Sequence, residues 1–130
     1  MGEAGRCQRE EHSVPDPADP APIAKPLRPR LLQDTASIFG LLSAPVRLHI
    51  LWLLAGGERD VGTLADHTGQ TVATVSHHLG KLKLAGLVHD RRQGKRRVYA
   101  AADPDVIELV RLAIGRRVAG SRVGARKRRA

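Results

Sequence analysis

The chain has 130 residues, a single cysteine, and a formal net charge of +9 from 22 Lys and Arg against 13 Asp and Glu. That length leaves room for one domain with tails, and the lone Cys7 excludes an internal disulfide framework or a thiol-only metal cluster within one chain. No apolar stretch approaches the roughly 20 residues of a membrane-crossing helix, and no hydrophobic signal core follows the N-terminal charges; a soluble protein of the reducing cytoplasm is expected.

Residues 1–30 contain six of the eight prolines and balance five acids with five bases. Such a segment buries too little apolar surface to offset its ordering entropy, so a disordered Pro-rich arm is predicted. The whole positive excess lies in 31–130, chiefly in 81–97 and 116–129. Clustered basic charge is the footprint of a polyanion binder. A compact domain over 31–117 and a basic flexible tail over 118–130 complete the predicted organisation.

The domain opens with a helix over about Leu31–Leu42, with Leu31, Ile38, Leu41 and Leu42 on its apolar side. Ser43 reads as the next N-cap, with Pro45 early in the helix, where a missing N–H costs nothing. Val46, Leu48, Ile50, Leu51, Leu53 and Leu54 make this second helix apolar on most sides, the expected buried centre. It stops at Gly56-Gly57. A short helix follows over Val61–His67, with Val61, Leu64 and Ala65 at i, i+3, i+4, and Gly69 ends it.

Thr71 is the predicted N-cap of a helix reaching Ala85. Val75, Leu79 and Leu82 fall at i, i+4, i+7 and should face the core. The opposite arc carries Ala73, Ser76, His77 and Gly80, with Thr74 and Lys81 at its edge. Small side chains let a helix approach base edges, and hydroxyl and imidazole groups can hydrogen-bond to them. Val72, Ala73, Thr74, Ser76 and His77 are therefore the candidate base-reading residues.

A hairpin should follow, with Leu87-Val88-His89 on one strand, Val98-Tyr99-Ala100 on the other and Gln93-Gly94 at the tip, where glycine can take positive φ. Arg91, Arg92, Lys95, Arg96 and Arg97 crowd that tip. Thr71, Lys81, Arg92, Lys95, Arg96 and Arg97 are the candidate phosphate and wing contacts. A final helix is expected to start near Asp103-Pro104. Its Val106, Ile107, Leu109, Val110, Leu112, Ala113 and Ile114 are more apolar than one small domain requires, so a partner surface is expected.

A groove-sized helix followed by a basic hairpin is the layout of a winged helix-turn-helix. The stretch from about Ala36 to Ile114 resembles the ArsR/SmtB winged-helix repressors. The resemblance rests on Leu42-Ser43-Ala44-Pro45-Val46-Arg47-Leu48, on Val75-Ser76-His77-His78-Leu79, on Ala85-Gly86-Leu87-Val88, and on Arg91-Arg92-Gln93-Gly94-Lys95 with Val98-Tyr99. It implies a mainly α fold with a β-hairpin wing, in the order helix-helix-helix-helix-strand-strand-helix. It also implies a homodimer joined through the first and last helices, and binding to a palindromic operator in double-stranded DNA, relieved by an effector.

The family's metal sites do not carry over. Asp60 and Gly62 stand where a Cys-x-Cys pair would be. Near the last helix Asp103 and Asp105 match the first two ligands at best, while Arg116 and Ala119 replace the others. Of the histidines, His77 and His78 point about 100° apart on a helix, poor geometry for chelating one ion. His49 is expected as a half-buried packing residue and His67 as a helix-end residue. No metal, cofactor or catalytic constellation is predicted, and the effector is not identified. Two alternatives stand beside a sequence-specific repressor: a weakly specific architectural DNA binder, and a regulator switched by a partner protein.

Overall fold

The computed structural model describes residues 25–129, with side chains described as far as Ser121. The predicted arm falls mostly outside that range, as do Cys7 and His12. Within it, five helices and three strands follow one another: α1 (Pro29–Leu42), α2 (Pro45–Ala55), β1 (Arg59–Asp60), α3 (Val61–Thr68), α4 (Val72–Leu84), β2 (Val88–Gln93), β3 (Arg96–Ala101) and α5 (Pro104–Arg129). No single described helix is long and apolar enough to cross a membrane.

The core forms where four helices and the sheet converge. Ile50 and Leu51 of α2, Leu64 of α3, and Val75, Leu79 and Leu82 of α4 are fully buried. Leu87, Val88 and Tyr99 close it from the hairpin, and Val106, Ile107 and Val110 close it from α5. The expected position of α2 as the buried centre is observed. His49 is not half-buried; it sits on the exposed side of that helix.

Element ends follow local chemistry, with one correction. Ser43 does not cap α2. It ends α1, its hydroxyl donating to the Gly40 carbonyl at 2.6 Å, and Ala44 occupies the extended N-cap position before Pro45. A residue preceding proline is driven out of the helical region, which moves the cap one place past the serine. Gly69 takes the left-handed conformation, φ 68°, that closes α3 and turns the chain into α4. Thr71 caps α4 as expected, its hydroxyl accepting from the Thr74 amide at 3.1 Å.

The sheet has three antiparallel strands in the order β1-β3-β2, not the two of a bare hairpin. The two residues of β1 pair as Arg59 with Tyr99 and Asp60 with Val98. Gln93 pairs with Arg96, so the turn is Gly94-Lys95 rather than Gln93-Gly94, and Gly94 alone there has positive φ, 64°. At the start of α5 the Asp103 carboxylate accepts from the Asp105 and Val106 amides. That helix then runs past residue 117 to Arg129.

Candidate nucleic-acid interface

The outward arc of α4 is set by what the helix buries. Val75, Leu79 and Leu82 lie in the core, so Ala73, Ser76, His77, Gly80 and Lys81 are exposed on the other side, with Thr74 half-buried at the edge. Val72, at the first turn, is exposed as well. No acid occurs anywhere on this helix. A Cβ added at Gly80 would meet nothing within 4 Å, so no other part of the described chain stands over the arc there.

His77 and His78 part company, as their spacing implied. His77 is exposed, whereas His78 is half-buried, with its Nδ1 3.2 Å from Nη1 of Arg47. A guanidinium can only donate, so Nδ1 is the acceptor and the ring proton sits on Nε2. Burial, then the charge of Arg47, lowers the His78 pKa and keeps the ring neutral. Arg47 also donates from Nε to the Leu41 carbonyl at 2.7 Å, tying α4 through α2 to the end of α1. This link had no periodic signature in the sequence.

The wing is fastened to α4 by an acid. Asp90, on β2, is only 4% exposed at its side chain, 2.8 Å from Lys83 Nζ and bonded to Arg97 across the hairpin. Lys83 and then Arg97 hold its carboxyl below the usual carboxylate range. Sequence reading missed Asp90 because it sits among bases and looks like diluted charge.

Strand register sorts the wing cations, since directly paired residues share a face. Arg92 lies opposite Arg97 and Asp90 opposite Tyr99, so both arginines share the face of Asp90, which carries the Lys83 contact to α4. Arg96 and Arg91 lie on the other face, lining a polar cleft with Glu58, Asp60 and Thr63. There Arg91 makes a bidentate pair with Glu58 at 3.1 and 3.2 Å, and lowers that carboxyl's pKa. Lys95 stands in the turn itself. The single basic cluster read from sequence is thus two groups and a tip. Among the described residues, no three His, Cys, Asp or Glu side chains converge as metal ligands do.

Comparison with known proteins agrees with this geometry. Residues 44–90 match the family model described as bacterial regulatory protein, arsR family. An HTH-type transcriptional regulator of Mycobacterium tuberculosis, Rv0324, is 44% identical over 82 residues, 63% of this chain and 36% of that protein's length. The homodimeric winged helix-turn-helix DNA-binding domain of Mb0332 from Mycobacterium bovis, a possible ArsR-family transcriptional regulator, superposes with a TM-score of 0.60. It is 40% identical, over 72% of this chain and 85% of that one. The transcriptional repressor BigR from Xylella fastidiosa gives a TM-score of 0.60 at 32% identity, over 64% and 85% of the respective chains.

The Asp90 clamp has a pH signature. A carboxyl whose pKa is lowered by folding stabilises the fold fully above its unfolded value, about 3.9. That contribution is lost as pH falls through the lower folded value. Asp90→Asn is therefore expected to lower the urea midpoint at pH 7, with the difference from the parent closing in strong acid. Equal midpoints at neutral pH would show that the clamp contributes nothing.

Proposed function

Because the chain belongs to the ArsR family of bacterial regulatory proteins, we propose that it is a sequence-specific DNA-binding repressor acting as a homodimer on a palindromic operator, relieved by an effector. It is a regulator and not an enzyme. The observation that carries this reading is the two-sided character of α4: three buried aliphatics on one side, and an acid-free arc of small and polar groups on the other. Val72, Ala73, Thr74, Ser76 and His77 read base edges in the major groove, and Val72 offers its methyls to a thymine methyl. Thr71, Lys81, Arg92, Lys95, Arg96 and Arg97 meet the phosphate backbone, where mobile cations are useful from many directions. Arg92 and Arg97 share the strand face that carries the Asp90 contact to Lys83, Arg97 keeping its pair with Asp90; Lys95 stands in the turn and Arg96 on the opposite face.

Dimerisation follows from apolar surface that one chain leaves uncovered. Leu31, Leu32 and Phe39 of α1 are all more than half exposed, and on α5 so is Leu112, with Leu109 at 44%. A second copy covers such a patch, since soluble proteins rarely leave large ones open. Reading two half-sites requires such a dimer to hold its α4 helices about 34 Å apart, one turn of B-DNA, or a multiple of it.

Operator binding tests both halves. His77→Ala is expected to cost about 1–3 kcal/mol at the operator, the scale of a lost base contact, with non-specific DNA binding little changed. Equal loss on both DNAs would remove His77 from base reading, and a parent protein with no preference for any sequence would favour an architectural binder. For the interface, Leu109→Glu is expected to convert a dimer to a monomer in sedimentation at micromolar concentration. A parent that is already monomeric there contradicts the arrangement.

A further inference from the structure

Between the C-terminal end of α2, the edge strand β1 and one side of α5 lies an open cleft of about 550 Å3, lined by Trp52, Leu53, Ala55, Gly56, Arg59 and Arg111. That size falls in the range of small-ligand sites, about 300–1,000 Å3. Trp52 is the only tryptophan of the chain and is half-buried, so part of its indole remains accessible.

Two guanidinium groups flank the apolar wall, and no carboxylate lines it. Arg111 donates to the Ala55 carbonyl at 2.6 Å, and Arg59 donates to the Glu58 carbonyl at 2.8 Å. Each of these bonds uses one of five N–H donors. They anchor the heads at the end of α2 without neutralising them. Glu108 comes no closer to Arg111 than 3.8 Å and is 75% exposed, so it screens that charge weakly. A flat aromatic wall beside two anchored cations suits an anion with a planar apolar body.

We propose that this cleft binds an aromatic carboxylate, its ring against Trp52 and Leu53 and its carboxylate on Arg111 and Arg59. At about 100° per residue, Arg111 lies about 100° from Leu112 and about 160° from Leu109 around α5. None of the exposed Leu31, Leu32, Phe39, Leu109 and Leu112 lines the cleft, so it is separate from the apolar patch proposed for the second copy. Arg59 belongs to β1, which pairs with the wing strand β3 through Tyr99. A bound carboxylate thus touches the wing sheet and the dimer helix together, a place from which occupancy can reach both.

The test is a fluorescence titration of the full chain, with Trp52 as reporter and benzoate as probe. Benzoate is expected to give a saturable change in emission at millimolar concentration. Benzamide, of the same shape without the charge, should bind about tenfold more weakly. Arg111→Gln should weaken benzoate about tenfold and leave benzamide unchanged. Arg59→Gln, several-fold weaker for benzoate, keeps the test decisive if circular dichroism shows the first variant misfolded. A change that never saturates, equal binding of the two probes, or variants that bind benzoate like the parent would overturn the site. No DNA enters the titration, so failure here is distinct from failure of the DNA-binding reading.

Discussion

The burial of Val75, Leu79 and Leu82 against Ile50, Leu51 and Leu64 is the constraint from which the rest follows. Fully burying one such side chain stabilises by roughly 1.5–3 kcal/mol. Turning α4 about its axis by half a revolution would expose all three and bury Ser76 and His77 without partners, at further cost. Which residues face outward is thus decided by the core, before any ligand is considered. The proposed reading arc is what remains of the helix after the core has taken its share.

Electrostatics then fixes what stands beside that arc. Asp90 joins Lys83 at the end of α4 to Arg97 in β3, and Glu58 holds Arg91 against the base of the wing. Arg47 binds the other flank of α4 through His78. In a chain with so many more bases than acids, these few pairings bind Lys83, Arg91 and Arg97 to the fold, while Arg92, Lys95 and Arg96 are in none of them. Exposed ion pairs contribute little stability, and Arg91 with Glu58 is of that kind. Asp90 differs because its carboxylate is shielded from water and held from both sides.

Much of this was legible in the sequence because it is local. Thr71 as cap, Gly69 as helix stop, Asp103 before Pro104, and the i, i+4, i+7 aliphatics of α4 each depend on neighbours within a turn or two. The misreadings have the same root. Ser43 read as the cap of α2, but the restriction that proline imposes on its predecessor puts Ala44 there. At the wing, composition could not assign parity, so Arg96 and Arg97 looked alike until register put them on opposite faces. The pairing of β1 with β3 joins residues about 40 apart, and Glu58 meets Arg91 across 33. No periodicity encodes such contacts. Family resemblance supplied the fold, while Asp60, Gly62, Arg116 and Ala119, at the positions expected for the familiar metal ligands, name no effector.

The most direct test of the account is the set of backbone amides that shift in the NMR spectrum of the isotope-labelled protein when operator duplex is added. The largest changes are expected over Val72–Lys81 and Arg92–Arg97, with the amides of Leu109–Leu112 nearly still. Changes concentrated on α5, with α4 silent, would contradict the claim that the outward arc of α4 enters the groove.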